Sequence, residues 1–119
     1  MDKLDIVWEY CNLRLQWDSD ISRQKLEDLM CSDAIILTSD GRSYNTHHDR
    51  LKYFRNEPQH YEPIGNLIDL PNGKVRFTFQ IKSSSGCVTQ KQKVYRDFYF
   101  RNNLICLVHT HRDVDLRFC

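Results

Sequence analysis

Apolar residues recur at three- and four-residue steps near the start of the chain. The spacing predicts an α-helix over about residues 2–16, with one broad face that must be covered. The stripe on that face comprises Leu4, Val7, Trp8, Cys11 and Leu15. Residues 18–20 are Asp-Ser-Asp, which favour helix caps over helix interiors, so a second, short helix is expected from there to about Ser32.

A short strand and a third helix are expected next. Residues 34–38 have the pattern of a strand, and Ser-Asp-Gly at 39–41 predicts a turn. Thr46 is followed by Asp49 at the spacing of a capping box, so the third helix should begin there and run to about Arg55.

The two histidines at the start of the third helix are expected on different faces. His47 shares a face with Leu51 and Phe54, because residues three or four apart stack along a helix. His48 falls among charged side chains. The pattern therefore predicts that His47 points inward and His48 outward.

The second half of the chain predicts antiparallel strands joined by turns, the first of which is Asn72-Gly73. A tight two-residue turn there places Leu70 opposite Val75 and Asn66 opposite Phe79, and opposed residues share a sheet face. The buried face is then expected to consist of Ile64, Asn66, Ile68, Leu70, Val75, Phe77, Phe79 and Ile81.

The last hairpin is predicted at Asn102-Asn103, since asparagine tolerates the left-handed backbone of tight turns. Pairing outward from this turn sets Phe98 opposite Leu107 and Arg96 opposite His109 on the inner face, followed by Val94 opposite His111. The outer face is too apolar for a solvated surface. We therefore expect a homodimer through the outer-face residues Tyr95, Tyr99, Cys106 and Val108.

Composition and charge exclude several functions. A length of 119 residues suits one domain. The 17 lysines and arginines are nearly cancelled by 16 acidic residues, so the positive charge of a nucleic-acid-binding protein is missing. The longest uncharged apolar runs have five residues, against roughly 20 for a membrane-spanning helix. We expect neither a nucleic-acid nor a membrane partner.

The cysteines and the amino-terminal residues indicate the compartment. The five cysteines are an odd number and form no CxxC pair, which argues against a disulfide framework and a zinc knuckle. The first residues are acidic, unlike the basic head of a signal peptide. A cytoplasmic protein with reduced thiols and no cofactor or metal is expected.

The order of these elements, together with four short segments, resembles a known superfamily. The segments are Trp17-Asp18, Cys31-Ser32-Asp33-Ala34, Tyr44-Asn45-Thr46 and Phe100-Arg101-Asn102-Asn103-Leu104-Ile105. They are similar to those of the nuclear-transport-factor-two-like superfamily, particularly its SnoaL-like polyketide-cyclase and ketosteroid-isomerase members. The resemblance implies an α+β cone over residues 1–119, with three helices packed in the concave face of a strongly curved, mainly antiparallel sheet.

The resemblance also implies a pocket between the inner sheet face and the helices. Enzymes of the superfamily place a carboxylate there, sometimes with a tyrosine on the first helix, a position that Tyr10 matches. The paired strands of this chain put no carboxylate on the inner face, because Asp69 and Asp97 fall on the outer one. Whether the protein is an enzyme is therefore left open.

Polar residues on the inner face are the candidates for chemistry. Arg96 is costly in a closed core, but in a pocket it would bind a carboxylate or phosphate. His109 would be the proton-transferring group, as in an isomerase or a cyclase. The expected ligand is small, partly apolar and anionic. Its remaining contacts would be Asn66, His111 and His47, with apolar walls from Trp8, Phe79, Phe98 and Leu107.

Three alternatives remain open from the sequence. Arg96 could lie at the rim and reach water, with the histidines as ordinary polar lining. The spacing of His109 and His111, with Asp113 beyond, occurs in some metal sites, but any H-x-H on a strand shares one face. The protein could also be a non-catalytic interaction module that uses its outer sheet face.

Overall fold

A computed structural model describes residues 2–14, 20–56, 62–63, 67–85, 88–112 and 116–118. The helices in these ranges are α1 (Lys3–Arg14), α2 (Asp20–Asp28) and α3 (His47–Asn56). The strands are β1 (Met30–Leu37), β2 (Ser43–Tyr44), β3 (Glu62–Pro63), β4 (Ile68–Asp69), β5 (Val75–Ser85), β6 (Val88–Arg101), β7 (Leu104–Arg112) and β8 (Leu116–Phe118). None of the described helices has the length and apolar character needed to span a membrane.

The strands form one sheet in the order β2-β1-β7-β6-β5-β3, with β4 also paired to β5 and β8 to β6. The pairing of β1 with β7 is parallel, and the other pairings are antiparallel. The helices cover the concave face of the curved sheet. The predicted α+β cone is confirmed.

The core lies between the helices and the concave face. Tyr10 of α1 packs edge-on against Phe98 of β6 and Phe54 of α3, with ring centroids 5.1 and 6.2 Å apart. Burying an aliphatic or aromatic side chain of this size contributes about 1.5–3 kcal/mol. The other buried apolar residues include Ile6, Val7, Leu13, Leu26, Ala34, Ile36, Val75, Phe77, Phe79, Val94, Ile105 and Val108.

The second helix is shorter than predicted. It ends at Asp28, and β1 already begins at Met30, where the sequence predicts helix to about Ser32. The Ile105 amide donates a hydrogen bond to the Leu29 carbonyl at 2.9 Å. Pairing with β7 therefore draws these residues into the sheet, although their apolar spacing also suits a helix.

The turn before β5 is one residue longer than predicted. Pro71–Gly73 form a short 3-10 turn. The ladder consequently pairs Ile68 with Arg76 and Asp69 with Val75. The prediction that Ile68 faces the core is wrong, because the shift turns its side chain outward and leaves it 48% exposed.

The last hairpin begins as predicted and then shifts by one residue. Phe100 lies opposite Ile105, but the next pair is Tyr99 with Leu107. Cys106 is therefore an extra residue on β7, a β-bulge. It packs against the core and does not lie on the outer face, as the sequence predicted.

A shift of one residue sends every later side chain to the opposite face. Val108 and Thr110 consequently face inward and are 1% and 7% exposed. Leu107, His109 and His111 share the outer face with the β6 residues opposite them. The predictions that these three face inward, and that Val108 faces outward, are wrong.

Candidate functional site

A cavity of about 630 Å³ opens between α3, the concave face of the sheet and the turn that follows β1. Its volume suits a small-molecule ligand. The turn is closed by the Thr38 amide, which donates to the Arg42 carbonyl at 2.8 Å. The lining residues are Thr38, Ser39, Asp40, Arg42, Tyr53, Phe79, Val94, Arg96, His109, Thr110, His111 and Arg112.

Arg96 lines this cavity from β6 and is 4% exposed. Its Nε donates a long hydrogen bond of 3.4 Å to the Thr110 hydroxyl, and its guanidinium lies 5.0 Å from the centre of the Phe79 ring. Among the described side chains, no carboxylate pairs with it. A buried guanidinium thus lines the cavity without an ion-pair partner in the described part of the chain.

The rim of the cavity carries a second arginine. Arg42 Nε lies 3.1 and 3.0 Å from the two carboxylate oxygens of Asp40, and the Arg42 amide donates to the Thr38 hydroxyl at 3.1 Å. Hydrogen bonds from Thr38 and Arg42 lower the pKa of Asp40 to about 2. The Asp40 carboxylate is therefore ionised at neutral pH and is a weak base.

Tyr10 lies behind the cavity and does not line it. It is 1% exposed, and burial raises its pKa to about 12, against the smaller opposing effects of the Arg14 and Arg96 charges. The phenol consequently stays protonated at neutral pH. The structure places the hydroxyl in the core beside the two arginines, and not at the predicted catalytic position in the pocket.

Asp97, next to Arg96 in sequence, is the centre of a cluster on the outer face and is 1% exposed. Arg76 donates from Nε and Nη2 to its two oxygens at 2.7 and 2.9 Å. Lys74 Nζ and His111 Nε2 lie 3.7 and 3.4 Å from Oδ2. The His109 ring centroid is 3.8 Å from that of His111.

The cluster shifts the pKa values of two of its members. Burial raises the pKa of Asp97, but the hydrogen bonds and charge of Arg76, with the charges of Lys74 and His111, lower it more. The pKa of His109 falls below its ordinary value, first because burial disfavours the charged ring and second because His111 repels it.

Comparisons with known proteins identify the fold. No family model and no curated protein matches the chain. Solved structures match over nearly its whole length. A protein from Sphaerobacter thermophilus superposes with a TM-score of 0.73, 14% identity and coverage of 97% of this chain and 99% of that one. An NTF2-like protein of unknown function from Cytophaga hutchinsonii superposes with a TM-score of 0.72 and 10% identity. The match covers 95% of this chain and 91% of that one.

A third match is a proposed SnoaL-like polyketide cyclase from Jannaschia, with a TM-score of 0.71, 7% identity and coverage of 93% of this chain and 85% of that one. This chain has the nuclear-transport-factor-two-like fold. Proteins described as a cyclase and as of unknown function share that fold, so the fold does not specify the activity. Any conclusion about function therefore depends on the residues that line the cavity.

Within the nuclear-transport-factor-two-like cone, the other predicted wall residues lie in different places. Phe79 lines the cavity. Phe98 is fully buried beneath Tyr10, and Leu107 lies on the outer face beyond the bulge. Trp8 is 45% exposed on α1 and does not line the cavity, which contradicts its predicted role. The buried stripe of α1 instead carries Ile6, Val7, Tyr10, Cys11, Leu13 and Arg14.

Asn66 lies outside the described residues, and the residue opposite Phe79 is Pro63. The ladder therefore does not have the predicted pairing of Asn66 with Phe79. His109 and His111 border the cavity at the far end of β7. The ion pair of His111 and the ring of His109, tilted against that of His111, lie toward Asp97.

His47 belongs to a different site. Its Nδ1 lies 2.6 Å from Glu27 Oε1, and its side chain is 58% exposed. Arg50 donates from Nε and Nη2 to the same buried carboxylate, each at 2.9 Å, and from Nη1 to the Ala34 carbonyl at 2.7 Å. The predicted inward orientation of His47 is wrong, because Arg50 and Phe54 occupy the buried side of α3.

The sequence did not single out several lining residues. Thr110 reaches the inner face only because of the bulge. The sequence predicts a turn at residues 39–41, which contains Asp40, but it gives no functional signal for Asp40 or for Arg42. Tyr53 lies on the buried side of α3, and its spacing of three from Arg50 is the signal that could have identified it. In the described part of the chain, no three His, Cys, Asp or Glu side chains are placed to hold a metal ion.

Proposed function

We propose that this protein binds a small, partly apolar, anionic molecule in the 630 Å³ cavity, with Arg96 holding the anion. The observation that carries the proposal is a guanidinium 4% exposed at a cavity wall, with a 3.4 Å hydrogen bond to Thr110 and no described carboxylate as its partner. Tyr53 and Phe79 supply apolar surface beside it.

Burial of a charge explains why a ligand is implied. An ion removed from water costs several kcal/mol unless an opposite charge and hydrogen bonds compensate. A carboxylate or phosphate in the cavity would provide both, because a guanidinium binds either one in bidentate fashion. The ring of Phe79, 5.0 Å away, compensates only part of this cost.

The proposal is confined to binding, because the described lining offers weak support for proton transfer. The Asp40 carboxylate, with its pKa of about 2, is a poor base. His109 and His111 border the cavity, but their ring centroids lie 3.8 Å apart and His111 pairs with Asp97, so both rings are engaged away from the ligand space. An isomerase or cyclase activity is therefore not part of the proposed function.

The test is thermal unfolding with a panel of aromatic and aliphatic carboxylates and phosphates. A ligand at 100 times its Kd should stabilise the fold by roughly 2.7 kcal/mol, which raises Tm by several degrees. In Arg96→Met the ligand response should vanish while the ligand-free Tm rises, since an apolar side chain of similar length replaces a poorly compensated charge.

Arg55→Met is the matched control, since Arg55 is an exposed arginine of α3 that does not line the cavity. It should keep the full ligand response. A response in Arg96→Met equal to that of the original protein would overturn the proposal, and so would a flat response of the original protein to the whole panel.

We also propose that the protein self-associates through the outer sheet face, using a set of residues that differs in part from the set predicted from the sequence. The ladders align Ile35 of β1, Leu107 of β7 and Tyr99 of β6 in one row across that face. Ile35 is 39% exposed. This row takes the place of Cys106 and Val108 in the interface expected from the sequence.

A further inference from the structure

Thr110 is the polar neighbour of Arg96 in the wall of the cavity. The two residues lie opposite each other in the ladder of β6 and β7, and both line the cavity. The Thr110 hydroxyl accepts from Arg96 Nε at 3.4 Å, and no other hydrogen bond joins this hydroxyl to a described residue. Thr110 is 7% exposed. A buried hydroxyl that donates to nothing costs free energy, so an acceptor for its proton is expected in the cavity.

The remaining edge of the Arg96 guanidinium determines where an anion binds. Because Nε points at Thr110, the two Nη atoms form the edge that is left for a bidentate anion. Neither Nη atom hydrogen-bonds to a described residue, and neither is sealed from the cavity. An anion on this edge has the Thr110 hydroxyl to one side of it. The hydroxyl therefore meets a ligand atom next to the anionic group.

Resting on the proposed function, we propose that the ligand is an α-keto acid. Its carboxylate binds the two Nη atoms of Arg96, and its keto oxygen accepts the proton of the Thr110 hydroxyl. The keto oxygen lies on the carbon next to the carboxylate, and the two groups can share one plane. The N–H donors of a guanidinium are coplanar too, and Nε directs one of them at Thr110. Tyr53 and Phe79, which line the same cavity, contact the rest of the ligand.

A plain carboxylic acid fits this arrangement less well. It satisfies the guanidinium but leaves the Thr110 hydroxyl without an acceptor. A site that hydrogen-bonds a polar group of its ligand discriminates strongly against an analogue without that group, because a buried polar atom then stays unpaired. Thr110 thus determines specificity, while Arg96 holds the charge.

The experiment compares α-keto acids with the parent acids that have the same carbon skeleton. The pairs are α-ketobutyrate and butyrate, α-ketoisocaproate and isocaproate, and α-keto-γ-phenylbutyrate and γ-phenylbutyrate. Both members of a pair are monoanions at neutral pH, so they differ by the keto oxygen and not by charge. Isothermal titration gives each Kd. We expect the α-keto member of the best-fitting pair to bind roughly tenfold tighter than its parent.

Thr110→Val removes the hydroxyl and nearly preserves the shape of the side chain. It should abolish the tenfold preference and leave the Kd of the parent acid within about threefold. Thr110→Ser keeps the hydroxyl and should retain most of the preference. Thr78→Val is the matched control, because Thr78 is also 7% exposed but lies on β5 outside the cavity lining. It should leave the preference unchanged.

The outcomes separate this inference from the proposed function. Equal binding of both members in every pair would overturn the α-keto acid while the anion site stands, and so would binding of phosphates but of no carboxylate. A preference that persists in Thr110→Val would also overturn it, because another group would then recognise the keto oxygen. Failure of every carboxylate and phosphate to bind would overturn both proposals.

Discussion

Arg96 and Asp97 show how one step along a strand separates two roles. The pleat of β6 sends them to opposite faces of the sheet. Asp97 is surrounded by cations, with Arg76 as a bidentate partner at 2.7 and 2.9 Å. Arg96 lines a cavity and has no described carboxylate within ion-pair distance. The charge of Asp97 is compensated within the fold, whereas the buried charge of Arg96, with no ion-pair partner among the described residues, supports the proposed ligand.

His109 should make folding stability depend on pH. Its folded-state pKa is lowered from 6.5, mainly by burial and then by His111, while Asp97 partly opposes and Lys74 adds to the shift. As pH falls below about 6.5, the unfolded chain takes up this proton more readily, so stability present above that pH is lost. Between pH 7.5 and 5, Tm of His109→Gln should decline less steeply than that of the original protein.

His48→Gln is the control for this experiment, because His48 is exposed on α3, outside the Asp97 cluster. It should keep the original slope of Tm against pH. The pKa of Asp97 is lowered from its ordinary value of 3.8, so this carboxylate stays ionised throughout the range from pH 7.5 to 5 and does not contribute to the slope. A slope for His109→Gln that matches the original would contradict the prediction.

At the scale of elements, the two hairpins explain where sequence reasoning succeeded and failed. The asparagine pair correctly located the last turn, since Asn102 and Asn103 have φ values of 52° and 61°. Their side chains tolerate this conformation, whereas most residues are strained in it. The bulge at Cys106, a residue that packs against the core, has no comparable signal in the neighbouring sequence.

Asn103 provides a test of that turn. Asn103→Ala should lower stability by about 1 kcal/mol, since alanine has no compensation for positive φ. Asn103→Gly should match or exceed the original protein. Urea denaturation measures both, with Asn45→Ala as a control at an exposed asparagine outside the positive-φ positions. Equal stability of the alanine and glycine variants would contradict the prediction.

At the scale of the whole molecule, the two proposed binding surfaces lie on opposite sides of the sheet. The concave side and the helices enclose the cavity, and the convex side carries the Asp97 cluster beside the row of Ile35, Leu107 and Tyr99. Binding and association can therefore be tested independently. A variant in either surface should leave the other function intact.

Tyr99→Glu should convert a dimer into a monomer in sedimentation experiments. It would place a carboxylate at one end of the outer row, where the Lys74 amine lies 5.4 Å from the centre of the present ring and can pair with the new charge in the folded protein. Trp8→Glu, the same kind of change at a 45% exposed aromatic residue of α1, is the control. A monomeric original protein, or a Tyr99→Glu variant that stays dimeric, would contradict self-association.

Local patterns in the sequence determined the elements and the class of the fold. Helical spacing located α1 and α3, alternation identified the inner residues Val75, Phe77 and Phe79, and Asn102-Asn103 located the last turn. Such signals depend on residues near each other in the chain, so a single sequence contains them. Arg96 was also singled out correctly as a buried charge on the inner face.

Only the tertiary structure decided which side chains meet at the cavity. One bulged residue moved His109 and His111 to the outer face and brought Thr110 to Arg96, and the turn after β1 brought Arg42 to the rim. The register of the strands and the position of the turns follow from packing between segments that are distant in the sequence. An error of one residue in the register places every later side chain of the strand on the wrong face of the sheet. The alternation of apolar and polar residues does not show where a strand contains an extra, bulged residue.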